Sequence, residues 1–391
     1  MQTTKLPSML TLLLLVTVAA VNAVLFTPAL PSIQSFFGVG VSTTQLTISL
    51  YLIGYAIGQL LYGPLANRFG IKHAIYYGMA ISFVGALLCM LSSPTHHFIY
   101  MALGRFLMAL GSSVGLMISF AIVMHCYPQE LAKQKISHLL AGFGIAPGVS
   151  IMIGGILVQH FGWQSCFYFL ALYGLAVTYM CSRLPQFNYT LDLSALKCSR
   201  IIYNYVAQLK NLKLAIGSLL MGFCTAYVYV FAAEAPFIGM KLIQMKPSEY
   251  GLWALLPSLG ILIGSYLSAK TSQNLSTHKS MAIGFLVMGL GIMAMLIGLH
   301  LYLRPQSLFI SMFIILIGYC LIYIQASSIA LNGATDRANA SAMMSFINMA
   351  ICTIAVFGLS AFHHTLYLMP LFFIGLFIAM GALTLGLKLV K

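Results

Sequence analysis

Twelve stretches of mostly apolar residues follow one another along this chain, each near the length of about 20 residues that a helix needs to cross a bilayer. They fall at roughly 8–37, 43–66, 74–93, 98–125, 136–160, 164–182, 213–235, 249–269, 280–302, 306–330, 341–362 and 367–388. The runs are continuously apolar and do not alternate at every second residue, so helices are expected rather than barrel strands. Several are long enough to predict tilt or extension beyond the hydrocarbon. What remains cannot clothe a globular surface: 6% of the residues are charged and 61% are hydrophobic, against roughly 25% charged in soluble domains. The expected fold class is an all-α polytopic membrane protein with 12 transmembrane helices.

The charges then give orientation. Lys and Arg number 19 and the acids five: Glu130, Asp192, Glu234, Glu249 and Asp336. The net charge of +14 has no polar domain on which to bind nucleic acid, so no nucleic-acid partner is expected. With the N-terminus in the cytoplasm, fifteen bases fall on that side, Lys5 and Lys391 among them, and three (Lys241, Lys246 and Arg304) on the other. Positive charge accumulates on the cytoplasmic side, so both termini are expected there. Lys5, the apolar run and Val21-Asn22-Ala23 resemble a secretory signal with a cleavage site. Apolar sequence continues to Phe37, however, which favours a retained first span. The segment 184–212 is polar, holds a candidate surface helix at 194–209, and reads as a linker on an anionic membrane surface. The sequons at Asn188, Asn274 and Asn339 all fall on the cytoplasmic side and need no glycan.

A faint repeat divides the chain. TPALPSIQ at 27–34 and EAPFIGMK at 234–241 align Pro31 with Pro236, and Gly54/Gly58 with Gly260/Gly264, at an offset of about 205 residues. The expected domains are 1–183, the linker 184–212, and 213–391.

Residues 63–73 read GPLANRFGIKH. This resembles the G-x-L-x-D-R-x-G-R-K loop of the major facilitator superfamily, whose fold is two six-helix bundles related by such a duplication. Gly63 would allow close helix packing, Arg68 and Lys72 supply charge, and Gly70 permits a tight turn. In the family this loop latches the two halves together; its acid falls at Asn67, an amide here, which puts that latch in doubt. Further matches are TPALPSI, GYAIGQLLYGPLANRFG, GRFLMALGSSVGLMISFAIV and APGVSIMIGGILVQHFGWQSCFYFLAL. These are similar to the bicyclomycin-resistance (Bcr/CflA) type of drug exporter. They keep the packing residues Pro147, Gly154 and Gly155. Much of the charged chemistry is absent: Val24 stands where the exporters carry an acid, and Met108 stands where they carry Gln. Phe120, Met124 and His125 replace a charged stretch, Ile151 replaces a proline and Gln164 an arginine.

Two ionisable residues lie inside spans, where charge is costly and usually faces a cavity or a partner. Arg105 reads either as a substrate contact or coupling residue, the role of the matching Arg in the family, or as a structural residue bonding carbonyls. Glu234, beside Pro236, suits a proton carrier; its alternative is a helix-end acid wetted by the outer medium. His125 is a second candidate for proton exchange, against a solvated helix end. Asn22, Phe26, Tyr51, Tyr55, Met108, Tyr227, Gln325 and Asn348 join Arg105 as candidate substrate-binding residues, with Gln45, Gln59, Tyr229 and Tyr323 as further polar groups in spans. Phe26 and Met108 would add a soft apolar wall. The pairs His96/His97 and His363/His364 have no carboxylate close in sequence, so no metal site is expected. The eight cysteines lack C-x-x-C spacing and read as small apolar fillers. No cofactor is expected, and no phosphate loop or acid–base pair points to an enzyme.

The resemblance implies a monomeric secondary transporter in the bacterial inner membrane: an antiporter that couples multidrug or metabolite efflux of a small-molecule substrate to protons. A second reading is uptake or exchange of an anionic nutrient or siderophore, because the span-one acid is missing and Arg105 remains. A membrane enzyme would need converging acids or nucleophiles, and a channel would not need a duplicated pair of bundles.

Overall fold

Apolar runs in a bilayer must satisfy their backbone internally, and the chain does so with helices alone among the described residues. The computed structural model describes residues 6–185, 187, 192, 195–332 and 336–389; Lys5, Lys391 and the sequon at Asn188 lie outside them. Twelve helices are long and apolar enough to span a membrane. These are span 1 (Met9–Phe37), span 2 (Val41–Phe69), span 3 (Ile71–Thr95), span 4 (Phe98–Cys126), span 5 (Gln129–Phe161) and span 6 (Gln164–Ser182). They continue with span 7 (Leu212–Leu242), span 8 (Pro247–Asn274), span 9 (Thr277–Leu301), span 10 (Pro305–Leu331), span 11 (Asn339–Ser360) and span 12 (Leu368–Gly386). An even number of crossings returns the chain to the side on which it began, the termini side; the opposite side is the far side. A linker helix, Cys198–Leu209, joins spans 6 and 7.

Two boundaries correct the sequence reading. Span 5 begins at Gln129, two turns before the expected 136, and its first turns carry an exposed Lys133–Glu130 pair at 3.0 Å. A helix that projects into water has no need of apolar residues, so hydropathy misses it. Residues 63–73, expected as a loop, are helix on both sides of Gly70, which alone makes the turn with φ 87° and ψ 157°.

Proline shapes the helices by withholding an N–H. Pro28 cannot serve the carbonyl of Val24, and span 1 breaks there into the 3-10 turn Thr27–Ala29, with Thr27 Oγ1 donating to the stranded Val24 carbonyl at 2.8 Å. Span 7 passes through Pro236 and closes in a π-turn, Ile238–Leu242.

The sequence repeat is also a repeat of packing. A Cβ on Gly54 would sit 2.3 Å from the Phe106 carbonyl oxygen, and one on Gly260 would sit 2.6 Å from that of Phe313. Gly58 meets the Leu110 carbonyl as Gly264 meets that of Ile317, and Gly78 abuts Gly111 as Gly284 abuts Gly318. The displacement is 206 residues on spans 2 and 8 (54 to 260) and 207 on spans 4 and 10 (106 to 313). Contacts between the first six and the last six spans concentrate on span 2 with span 11, span 5 with span 8, and span 1 with span 7. At the span 5–span 8 contact, backbone lies on glycine: a Cβ on Gly155 would sit 2.3 Å from the Pro247 carbonyl oxygen, and one on Gly251 would sit 2.9 Å from that of Ile151.

Candidate functional site

Arg105 is 0% exposed and sits where span 1 breaks. Ending the helix at Val24 leaves the Asn22 and Ala23 carbonyls without helical donors. The guanidinium supplies them, donating to Asn22 at 2.5 Å and Ala23 at 3.1 Å, while Nε donates to the Thr47 carbonyl at 3.3 Å. Its Cζ also lies 3.9 Å from the Phe26 ring centroid and 4.3 Å from that of Tyr51. Peptide dipoles and ring faces thus hold this cation with no carboxylate involved. Tyr51 donates to the Ala19 carbonyl at 2.7 Å and contacts Ser112 Oγ at 3.0 Å, so spans 1, 2 and 4 are joined through this cluster. Met108 lies against Cys89, and Asn22 Nδ2 donates to Ser82 Oγ at 3.3 Å.

At the far side, Glu234 is 2% exposed. Gln45 Nε2, on span 2, donates to Glu234 Oε2 at 2.7 Å and to the Ala233 carbonyl at 3.2 Å. His364 Nδ1 lies 3.2 and 3.1 Å from the two carboxylate oxygens, and its Nε2 lies 3.0 Å from Ser42 Oγ on span 2. The alternative of a helix-end acid open to the medium is not what the structure builds. Sequence reasoning missed His364, 130 residues from Glu234, having weighed the histidine pairs only against carboxylates close in sequence. Two more pairs cross between the first and last six spans on this side: Lys241 Nζ donates to Gln34, and the Ser248 N–H donates to Gln159 at 3.2 Å.

On the termini side the same two sets of spans part around a cavity of about 700 Å³. Gln59, Gly63 and Asn67 line it from one face of span 2, Met117 and Phe120 from span 4, and Ser341 and Ser345 from span 11. Gly63 there has only the Met117 sulfur near its missing Cβ, at 3.6 Å, so it opens space for the cavity and does not serve the close helix packing expected of it. Asp192 and Asp336 are the charged residues of the lining among the described residues. Asp336 also caps span 11, accepting from the Asn339 N–H at 3.1 Å. One turn deeper than Ser345, Asn348 Nδ2 donates to the Tyr323 hydroxyl at 3.5 Å, and Tyr55 stands beside Gln59 within electrostatic reach of Tyr323. The Gln59 Nε2 and Asn348 Oδ1 atoms are buried with no hydrogen-bond partner among the described residues.

The linker helix closes one wall of this cavity. Its Tyr205 donates to the Leu60 carbonyl at 3.0 Å, which Pro64, four residues on, cannot serve. Burial, with the negative charge of Asp336 nearby, pushes the Tyr205 phenol up to about 12. The Asp192 N–H donates to the Asn67 carbonyl at 3.0 Å, so the linker also touches the segment expected to latch the halves.

The remaining expected residues lie elsewhere. Tyr227 donates to the Phe373 carbonyl of span 12 at 2.8 Å, and Gln325 to Ser272 of span 8 at 2.6 Å. His125 is exposed at the termini side against Phe187, at the opposite end of the molecule from Glu234. Lys72 donates to the Ser182 carbonyl at 3.4 Å, and the Arg68 guanidinium lies over the Phe69 ring. Pro147 sits inside span 5, and Gly154 packs on the Leu25 carbonyl beside the break in span 1.

A family model described as Major Facilitator Superfamily matches residues 12–359. An uncharacterized transporter of Rickettsia bellii is 28% identical over 295 residues, covering 74% of this chain and 72% of that one. The chloramphenicol resistance protein CraA of Acinetobacter baumannii is 24% identical over 297 residues, 75% of this chain and 70% of its own. A bicyclomycin resistance protein homolog of Haemophilus influenzae is 21% identical over 296 residues, 72% of this chain and 74% of its own. Among solved structures, the inward open xylose transporter XylE from E. coli superposes with a TM-score of 0.73 at 12% identity, covering 95% of this chain and 94% of that one.

Proposed function

Since the chain belongs to the major facilitator superfamily, we propose that it exports small amphipathic compounds, drugs or a secreted metabolite, as a proton-driven antiporter. Residues 1–183 and 213–391 are two six-helix bundles joined by the segment 184–212, and they rock about the contacts of span 2 with span 11 and span 5 with span 8. The bias of Lys and Arg supports a cytoplasmic termini side; on this reading the protein works as a monomer in the bacterial inner membrane. The cavity on the termini side is then open toward the cytoplasm, the side from which an exporter loads. Gln59, Tyr55, Tyr323 and Asn348 are the groups a ligand in it would meet at its inner end. The similarity to a chloramphenicol resistance protein and a bicyclomycin resistance protein homolog supports export.

One observation carries the coupling. Glu234 is buried in the last six spans and accepts a hydrogen bond from Gln45 in the first six, so a change in its protonation is felt by both bundles. Uptake of an anion finds less support, because the nitrogens of Arg105 already serve three carbonyls. In proteoliposomes with an imposed pH gradient, E234Q abolishes gradient-driven transport of a compound found by thermal-shift screening, while leaving its binding measurable. Unchanged pH dependence in that variant would remove Glu234 from the mechanism.

A further inference from the structure

We propose that Glu234 and His364 act as one proton-holding unit, which seals the far side of the molecule only while the pair carries no net charge. The proposal rests on the transport reading above and assigns the regulation of its coupling residue; its test does not depend on transport.

Both residues belong to the last six spans or the loop between spans 11 and 12, and each holds one residue of span 2. Glu234 Oε2 accepts from Gln45 at 2.7 Å, and His364 Nε2 meets Ser42 Oγ at 3.0 Å. Between them, His364 Nδ1 lies 3.1 Å from the nearer carboxylate oxygen. Other ionisable groups near this end do not share the enclosure. Lys241, on the next turns of span 7, is exposed and donates to Gln34; Arg304, at the start of span 10, is exposed. His363 and Tyr367, flanking His364, are also exposed, the latter contacting His300. The outer turns of spans 1, 2, 11 and 12 bring no ionisable side chain to the pair among the described residues.

The hydrogen-bond chain closes in two ways, both neutral. With a carboxylate and an imidazolium, Nδ1–H donates to Glu234 and Nε2–H donates to Ser42. With a carboxylic acid and an imidazole, the carboxyl O–H donates to Nδ1 and Nε2–H still donates to Ser42. In either form Gln45 donates to Oε2, and in the acid form the proton sits on Oε1, 3.2 Å from Nδ1. A further proton, taken from outside water, removes the carboxylate charge and leaves the imidazolium in the enclosure as a positive charge with no counter-charge. Loss of the shared proton to that water leaves a buried carboxylate with no cation. A buried pair that loses its compensation is strongly destabilised, and parting of the two bundles on this side hydrates it. The seal is therefore strongest at intermediate pH and fails on both limbs.

The two limbs belong to different residues, which makes the idea testable. Spin labels are placed at exposed Ser35, at the outer end of span 1, and exposed Lys246, before span 8. Full-length protein without its native cysteines is reconstituted in nanodiscs, and the distance between labels is measured by double electron–electron resonance across pH. In the wild type the short, sealed distance is most populated at intermediate pH and declines on both sides. E234Q has no carboxylate to expose, so it loses the alkaline decline and keeps the acid one. H364Q has no imidazolium to form, so it loses the acid decline and keeps the alkaline one. S42A leaves both titrating groups in place, so it lowers the sealed fraction at every pH and moves neither limb. A distance independent of pH in the wild type, or the same limb lost in both E234Q and H364Q, overturns the proposal. If E234Q abolishes gradient-driven transport while the wild-type distance is flat, the coupling reading stands and the seal falls. If the distance is bell-shaped and E234Q transports normally, the reverse holds.

Discussion

A guanidinium fully enclosed by protein and held by carbonyls and rings is a tie between helices as much as a charge. Removing it strands two acceptors at once, the carbonyls of Asn22 and Ala23, and takes a second donor from that of Thr47. Each buried acceptor left unmade costs about 1–3 kcal/mol. R105A is therefore expected to lower stability by at least about 2 kcal/mol, read as a fall in melting temperature of the detergent-solubilised protein. R105K keeps the charge but not the planar fork, so it melts between R105A and the wild type. The sequence makes Arg105 and Glu234 conspicuous, because an ionisable group in an apolar run must be compensated. It does not name the groups that compensate them. The carbonyls facing Arg105 are freed by a helix break several residues before Pro31, and His364 reaches Glu234 from a loop four spans further along the chain.

At the scale of elements, proline and glycine do most of the shaping, by different means. Pro28 and Pro64 each strand a carbonyl, and a neighbouring hydroxyl takes it: Thr27 within span 1 and Tyr205 from the linker helix. With its phenol raised to about 12 by burial, Tyr205 keeps its proton throughout the neutral range, so this tie on the termini side does not respond to pH there. Glycine sets how near helices come. A Cβ at Gly154 would lie 1.7 Å from the Leu25 carbonyl oxygen, whereas one at Gly144 would meet only Ile261 at 3.4 Å. G154A is thus expected to destabilise by about 1–3 kcal/mol, as overpacking does, and G144A to melt close to the wild type; parallel melting curves of the two variants check the contrast. The presence of these helices was legible from hydropathy. Their interruptions were not, because a break at Thr27–Ala29 changes no apolar residue into a polar one.

Across the whole molecule, the twelve spans and the duplication could be read from the sequence because burial in lipid and a repeated glycine spacing both leave periodic marks. Which side is closed could not, since it depends on a few polar pairs between residues far apart in the chain: Gln34 with Lys241, Gln159 with Ser248, and Glu234 with Gln45 and His364. A chain with cysteine at 34 and 241 is expected to form a disulfide on mild oxidation and to lose transport, regaining it on reduction. Full transport in the oxidised form would show that the far side need not open. The backbone-on-glycine contact of spans 5 and 8 bears on the speed of that opening. A joint between side chains must reset its rotamers each time it slips, as a ratchet resets its teeth. At Gly155 and Gly251 the joint is backbone on backbone and behaves there like a plain bearing, whereas Ser258 on Gly148 and Ile261 near Gly144 are side-chain contacts that must still give. On the rocking proposed above, the rate of turnover is expected to follow the few hydrogen bonds at the rim more than the glycine stretch of this joint.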